Sequence, residues 1–237
     1  RMLRYGSSLW NIRAEIRAAL PFWNQTVANR PVLAIDTSTD WAGVALATPI
    51  GIRERNWQVG RDGTVQVPEV IAGLLREAEI RAADLAGCVV AIGPGSFSGL
   101  RVGLSLAKGF TLAVGMPLLG IPTFQVTLAR TALDQNGVGV IRAGRSRLVW
   151  ASNTAPDHLQ SGTLSDLITW LVNNPVDMLV GEVSDEQADQ IRQRIAITIA
   201  DDRLRRASDL LKLGMARFEA GDISDPATLA PLYLHPR

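Results

Sequence analysis

The chain has 237 residues, 47% hydrophobic and 20% charged, with 24 basic against 23 acidic side chains. That length accommodates one large or two small domains with real cores, and a net charge of +1 gives no support for broad, non-specific nucleic-acid binding. The single cysteine, Cys88, sits in the apolar run Ala86 to Ile92; it excludes a disulfide framework within the chain and reads as a small buried hydrophobe.

Residues 1–30 carry five arginines against one glutamate, a balance of +4, whereas residues 31–237 carry nineteen basic and twenty-two acidic side chains, a balance of −3. Leu9, Ile12, Ile16 and Leu20 form a helical stripe that Pro21 ends. An Arg-rich, acid-poor amphipathic leader is one reading of this segment. The reading favoured here is an extension outside the fold.

From Pro31 the pattern changes. Val32 to Ile35 is a short apolar run ending at Asp36, as a buried strand reads. Trp41 to Ala47 and Ile50 to Val59 read as two more strands, joined by a turn at Pro49 to Gly51. Val67, Val70, Ile71, Leu74, Leu75 and Ala78 share one helical face, with Pro68 tolerable in the first turn. Gly87 to Ile92 predicts a strand, Ser98 to Gly115 a helix capped by Ser98, and Leu118 to Ile121 a further strand. The apolar stretch Gly109 to Val126 contains Pro117 and Pro122, which argue for a helix end and a turn rather than a membrane span. The second half repeats the pattern more loosely. Strands are expected at Val138 to Arg142, Arg147 to Asn153, Met178 to Gly181 and Ile197 to Ala200, with helices at Leu164 to Val172, Ser184 to Ile195 and Ala207 to Ala220. Two β-β-β-α-β-α units in tandem are an α/β arrangement of the actin-like, ribonuclease H-like kind. The boundaries expected are 31–121 for the first subdomain and 122–237 for the second.

Two motifs carry chemistry. Asp36-Thr37-Ser38-Thr39 follows the first strand; such a turn either holds a phosphate and its magnesium shell or is an Asx-turn with hydroxyl caps. The run Gly93-Pro94-Gly95-Ser96-Phe97-Ser98-Gly99-Leu100-Arg101-Val102-Gly103 joins a strand to a helix. It is neither a Walker loop nor a dinucleotide fingerprint, so physics alone supports a tight junction that could take an anion. In the following helix Gly99, Gly103 and Ala107 line up at four-residue spacing, and Leu100, Leu104, Leu106, Phe110, Thr111 and Val114 spread around other sides. A helix apolar nearly all round is buried on more than one side: one side is its sheet, the other its own first helix or a partner.

These residues resemble the TsaB (YeaZ) family. The likeness rests on Val32 to Thr39, the Gly-Pro-Gly-Ser-Phe block beginning at Gly93, Gly115 to Ile121, and the tail Pro231-Leu232-Tyr233-Leu234. It covers residues 31–237 and brings with it a peptidase M22-like label, which fails here because the metal ligands that such chemistry needs have no counterpart. The resemblance implies a non-catalytic subunit of the cytoplasmic assembly that installs threonylcarbamoyl on the adenosine beside the tRNA anticodon. Its partners would be a TsaD-type catalytic subunit and a TsaE-type ATPase, with a homodimer when alone and tRNA contacted only through the complex. It implies pairing through the two helices of the first subdomain, at Val67, Val70, Ile71, Leu74, Gly99, Leu100, Gly103, Leu104, Ala107 and Thr111. On that expectation Gly103→Arg or Leu104→Glu breaks pairing and leaves the monomer folded. No cofactor of its own is expected; ATP or ADP would lie at the interface with partners, where Asp36, Thr37 and Ser38 are the candidate contacts.

The TsaD-type His-x-x-x-His metal pair has no counterpart, since the two histidines are His158 and His235; neither a metal site nor a catalytic residue is expected. Three departures from the family pattern stand out: no histidine near Gly63-Thr64, Arg142-Ala143-Gly144-Arg145 in place of Asp-Ala-Arg, and Ser98 in place of threonine. The alternative is a small-molecule kinase of the same superfamily. It needs a second phosphate loop, for which Val180-Gly181-Glu182-Val183-Ser184 is a poor substitute.

Overall fold

The computed structural model describes residues 31–60, 66–131, 135–143, 147–156, 158–201 and 204–233. The expectations placed on residues 1–30, Gly63-Thr64, Arg145 and Leu234 lie outside the described residues. The chain divides into two compact units, one built from 31–123 together with 206–233, the other Phe124–Arg205.

The first unit contains β1 (Val32–Asp36), β2 (Trp41–Thr48), β3 (Gly51–Gln58), β4 (Gly87–Ala91) and β5 (Leu118–Ile121) in the order β3-β2-β1-β4-β5. β2 is antiparallel to both β1 and β3, and β1, β4 and β5 are mutually parallel. β1 and β4 are buried along their whole length, as strands covered on both faces must be. β3 is the edge strand; Arg53 and Glu54 are half-buried and Arg55 and Asn56 exposed, its charges blunting an open edge. Two helices, α1 (Val67–Glu77) and α2 (Phe97–Val114), pack Val67, Ile71, Leu74, Leu104 and Ala107 over Leu33, Ile35, Cys88 and Val90.

The opposite face, carrying Val89, takes α6 (Ala207–Glu219), whose Gly214 lies against that valine. The Ala207 and Ser208 N–H groups donate to Asn56 Oδ1 at 2.9 Å and Glu54 Oε2 at 3.1 Å on β3. This corrects the expected boundary: residues 206–233 belong with the first unit, not with the second. The reason is the two-sided apolar character of β1 and β4, which one helical layer cannot cover.

The second unit repeats the topology. Its strands are β6 (Gly137–Arg142), β7 (Leu148–Ser152), β8 (Gln160–Gly162), β9 (Met178–Gly181) and β10 (Thr198–Ile199), in the order β10-β9-β6-β7-β8. Helices α4 (Leu164–Asn173) and α5 (Asp185–Arg192) bring Leu167, Leu171, Ala188 and Ile191 onto Val138, Val140 and Leu179. Each helix starts at a capping box, Thr163 with Asp166 and Ser184 with Gln187. The other face of the sheet is covered by α3 (Thr123–Leu128), through Phe124 and Leu128 on Ile141, Val149 and Ala151. Sequence periodicity missed α3 and β8, which have six and three residues, too short to express a period. With β8 in place the two units are both α/β, with mixed sheets of one topology.

Candidate functional site

The two sequence motifs meet at the C-terminal ends of β1 and β4. Asp36 ends β1, and its Oδ1 accepts from the Ser38 N–H at 2.9 Å and the Ser38 hydroxyl at 2.6 Å, an Asx-turn. The Thr37 hydroxyl donates to the Gly99 carbonyl at 2.7 Å, and the Thr39 hydroxyl accepts from the Trp41 N–H at 3.3 Å. All four side chains are at most 3% exposed.

What buries them is the β4–α2 junction. The Ser96 N–H donates to the Ser38 carbonyl at 2.6 Å. A Cβ on Gly95 would overlap the Ser38 carbonyl, one on Gly99 the Thr37 carbonyl, and one on Gly103 the Thr37 hydroxyl. The glycines are therefore spaced to let α2 lie directly on the β1–β2 loop. The Thr37 and Ser38 hydroxyls donate to the Gly99 carbonyl and to Asp36 Oδ1, so the turn has the Asx-turn and hydroxyl-cap geometry, with α2 lying against it.

The helix cap also differs from expectation. Ser96, with extended backbone, caps α2 by accepting from the Gly99 N–H at 3.4 Å, while Ser98 lies exposed in the first turn. The Gly-Pro-Gly turn finishes two residues earlier than the cap assigned from spacing, because Phe97 already has helical geometry.

The expected partner face needs a larger correction. Val67, Ile71, Leu74, Gly99, Leu100, Gly103, Leu104, Ala107 and Thr111 are all buried inside the chain's own fold, and Val70 is half-buried. A stripe at three- and four-residue spacing marks the face that is covered, and here the sheet and the β1–β2 loop cover it. Gly103→Arg and Leu104→Glu consequently strike the monomer itself. The outward face of α2 includes Phe97, Ser98, Arg101, Ser105, Gly109 and Leu112, the last 78% exposed. On α1 it includes Pro68, Ala72 and Arg76.

In the second unit, Glu182 follows β9 in the place that Ile92 takes after β4. Its Oε2 accepts from the Arg142 N–H at 3.1 Å, and its Oε1 pairs with the Arg205 guanidinium, both side chains 2% exposed. Gly181, at φ +112°, packs on the Val140 carbonyl. Val180 to Ser184 is thus a charge-locked strand end, not a phosphate loop. Sequence gave no signal for this pair, because the partners are 23 residues apart and no periodicity links them.

The tail is the other feature that spacing could not place. The Leu232 N–H donates to the Ile92 carbonyl at 2.7 Å, and the Leu232 carbonyl leaves room only for a glycine at Gly93, which has φ +106°. Beyond it the Tyr233 ring lies 5.0 Å from that of Phe97, and Arg101 stacks 3.8 Å above the Phe97 centroid. Cys88 is fully buried on β4, and burial pushes its thiol up to about 12. Among the described residues no three or more His, Cys, Asp or Glu side chains converge as a metal site requires.

Against this geometry stands a family likeness. A model of the tRNA N6-adenosine threonylcarbamoyltransferase (TsaD) family matches residues 58–210, well over half the chain. The chain belongs to this family, on its TsaB/YeaZ branch. It is 29% identical over 124 residues to the tRNA threonylcarbamoyladenosine biosynthesis protein TsaB of Escherichia coli, across 51% of this chain and 53% of that protein. With the Bacillus subtilis TsaB it is 32% identical over 108 residues, across 45% and 47%. The chain thus spans about half the length of the curated relatives it matches. YeaZ from Pseudomonas aeruginosa shares the fold, with a TM-score of 0.68 at 19% identity over 86% of this chain and 100% of that one. The two α/β units expected from element order are the fold that this chain shares with YeaZ. No described helix is long and apolar enough to cross a membrane.

Proposed function

We propose that the chain serves tRNA threonylcarbamoyladenosine formation as a non-catalytic, activating subunit. It would pair with a TsaD-type catalytic subunit and work alongside a TsaE-type ATPase in the cytoplasm. The observation that carries this reading is the closed β1–β2 loop. Asp36, Thr37 and Ser38 stand where an actin-like phosphotransferase would grip a phosphate, and α2 is laid across them through Gly95, Gly99 and Gly103. A family member whose phosphate loop is filled by its own helix is suited to holding a partner rather than to chemistry. The same closure counts against the small-molecule kinase alternative.

Nucleotide in the assembly would then be held by the partners. Pairing would use the outward faces of α1 and α2, around Ala72, Gly109 and Leu112, in place of the buried stripe. Leu112 is a large exposed apolar side chain there, and Gly109 leaves open space for a close helix approach. A homodimer through the same faces would form when the partner is absent.

Co-expression with TsaD-type and TsaE-type partners tests the reading directly. Restored modification of tRNA in a strain lacking its own subunit is the expected result, and Leu112→Glu should abolish it while leaving the thermal unfolding of the chain unchanged. Turnover of ATP, or transfer of threonylcarbamoyl, by the isolated chain would overturn it.

A further inference from the structure

We propose that Arg101, braced by Phe97 and Tyr233, pairs with a phosphate of the RNA when the chain is in its complex; this rests on the tRNA-modification reading above. Arg101 projects from the second turn of α2, on its exposed face. Three contacts fix its orientation. Its guanidinium carbon lies 3.8 Å from the Phe97 ring centroid, over the ring, its Nε donates to the Tyr233 hydroxyl at 3.1 Å, and Tyr233 is itself packed on Phe97. The tail that carries Tyr233 is fastened one residue earlier, through the Leu232 N–H to the Ile92 carbonyl.

The cation is held but not neutralised. Among the described residues no carboxylate pairs with Arg101, whereas Arg55, Arg81, Arg192, Arg205, Arg206 and Arg217 each have one. The sequence from Leu85 to Thr123 contains no Asp or Glu, and its charges are Arg101 and Lys108. With Nε committed to Tyr233 on an exposed side chain, the two terminal nitrogens of the planar fork are left for a bidentate oxyanion. Phe97 is 54% exposed although it already touches Arg101 and Tyr233.

An exposed ring beside a stacked guanidinium gives both halves of a nucleotide a partner, the phosphate on the fork and a base on the aromatic surface. An acidic protein side chain would use the charge and leave the ring idle. The chain's near-neutral charge fits a single contact that matters inside an assembly and gives little binding alone.

The test uses the full chain in complex with its TsaD-type partner and an unmodified anticodon stem-loop RNA as probe. Complex formation by the unaltered chain is read first, by gel filtration; its failure sinks the functional reading and this inference with it. If the complex forms, Arg101→Gln should bind the RNA about three- to tenfold more weakly and reduce the salt dependence of binding by roughly one ion, and Arg101→Lys should restore most of that dependence. Unchanged affinity and salt dependence would overturn the inference alone, leaving the subunit role standing. Loss of pairing with the protein partner in Arg101→Gln would overturn it too, by making Arg101 a protein contact. Should Arg101→Gln fail to fold, ultraviolet cross-linking of the unaltered complex decides: adducts of Phe97 or Tyr233 with the RNA support the contact, and their absence refutes it.

Discussion

The two sheets share one strand order, yet they close the C-terminal ends of their central strands by opposite means. In the first unit the ends of β1 and β4 are sealed by contact: Gly95, Gly99 and Gly103 lie on Thr37 and Ser38, and the polar groups are met by neutral hydrogen bonds and the Asx-turn of Asp36. In the second unit the ends of β6 and β9 are sealed by charge, with Glu182 held between the Arg142 N–H and the Arg205 guanidinium. A topology that leaves the same opening twice can therefore be closed in two ways. Closure by contact tolerates no added atoms, and closure by charge tolerates no lost partner.

The largest effect should come from adding atoms to the first closure. Gly95→Val or Gly103→Arg would drive a side chain into Ser38 or Thr37, where backbone or a buried hydroxyl stands in the way. We expect a loss of more than about 3 kcal/mol in denaturant unfolding, or no folded protein. A variant within about 0.5 kcal/mol of the parent, the range of an ordinary surface change, would mean that α2 does not rest on the loop.

Removing one partner from the second closure should rank next. Arg205→Met leaves the Glu182 carboxylate buried beside Arg142 without its cation, at a cost of about 3–5 kcal/mol. The double variant Glu182→Leu with Arg205→Met should recover most of that loss, because an apolar pair of similar volume replaces a buried ion pair at little net cost. Additive losses in the double-mutant cycle would show that the two groups are not coupled.

A smaller change separates the two serines at the start of α2. Ser96→Ala removes the cap and should cost about 1 kcal/mol, whereas Ser98→Ala, exposed in the first turn, should stay within about 0.5 kcal/mol. The reverse order would restore Ser98 as the cap.

The mildest test is alkaline. Burial raises the Cys88 thiol from an ordinary 9.0 to about 12, so between those values the unfolded chain releases a proton that the folded chain keeps. The stabilisation is fully present below pH 9.0 and is lost as pH rises toward about 12. Cys88→Ala should flatten that part of the pH–stability curve relative to the parent, and a thiol reagent at neutral pH should label Cys88 only as fast as the protein unfolds. Rapid labelling of the native protein would place the thiol outside the core.

Much of this was legible in the residues themselves. The apolar run Val32 to Ile35, the stripe from Val67 to Ala78 and the run Leu118 to Ile121 each gave its element within a residue or two of the observed bounds, because burial on one or two faces imposes a period that survives in sequence. The Gly93 to Gly103 block marked a tight junction for the same local reason: glycine stands where a Cβ has no place. Sequence alone left two readings of Asp36-Thr37-Ser38-Thr39 open, since those residues spell the same turn whether a ligand or a helix lies over it.

By itself, then, the amino-acid order settled the strands and helices long enough to express a period, though not α3 or β8, together with where glycine is obligatory and which face of each longer helix is covered. The tertiary structure alone decided what does the covering. It carried α6 back to the first sheet, gave α3 to the second, turned the Leu100–Leu104 stripe inward, and joined Glu182 to Arg205 and Tyr233 to Arg101. Periodicity records that a surface is removed from water, but removal from water costs and gains the same whether the neighbour is a near segment, a distant one or another chain; only the path of the backbone in space distinguishes them.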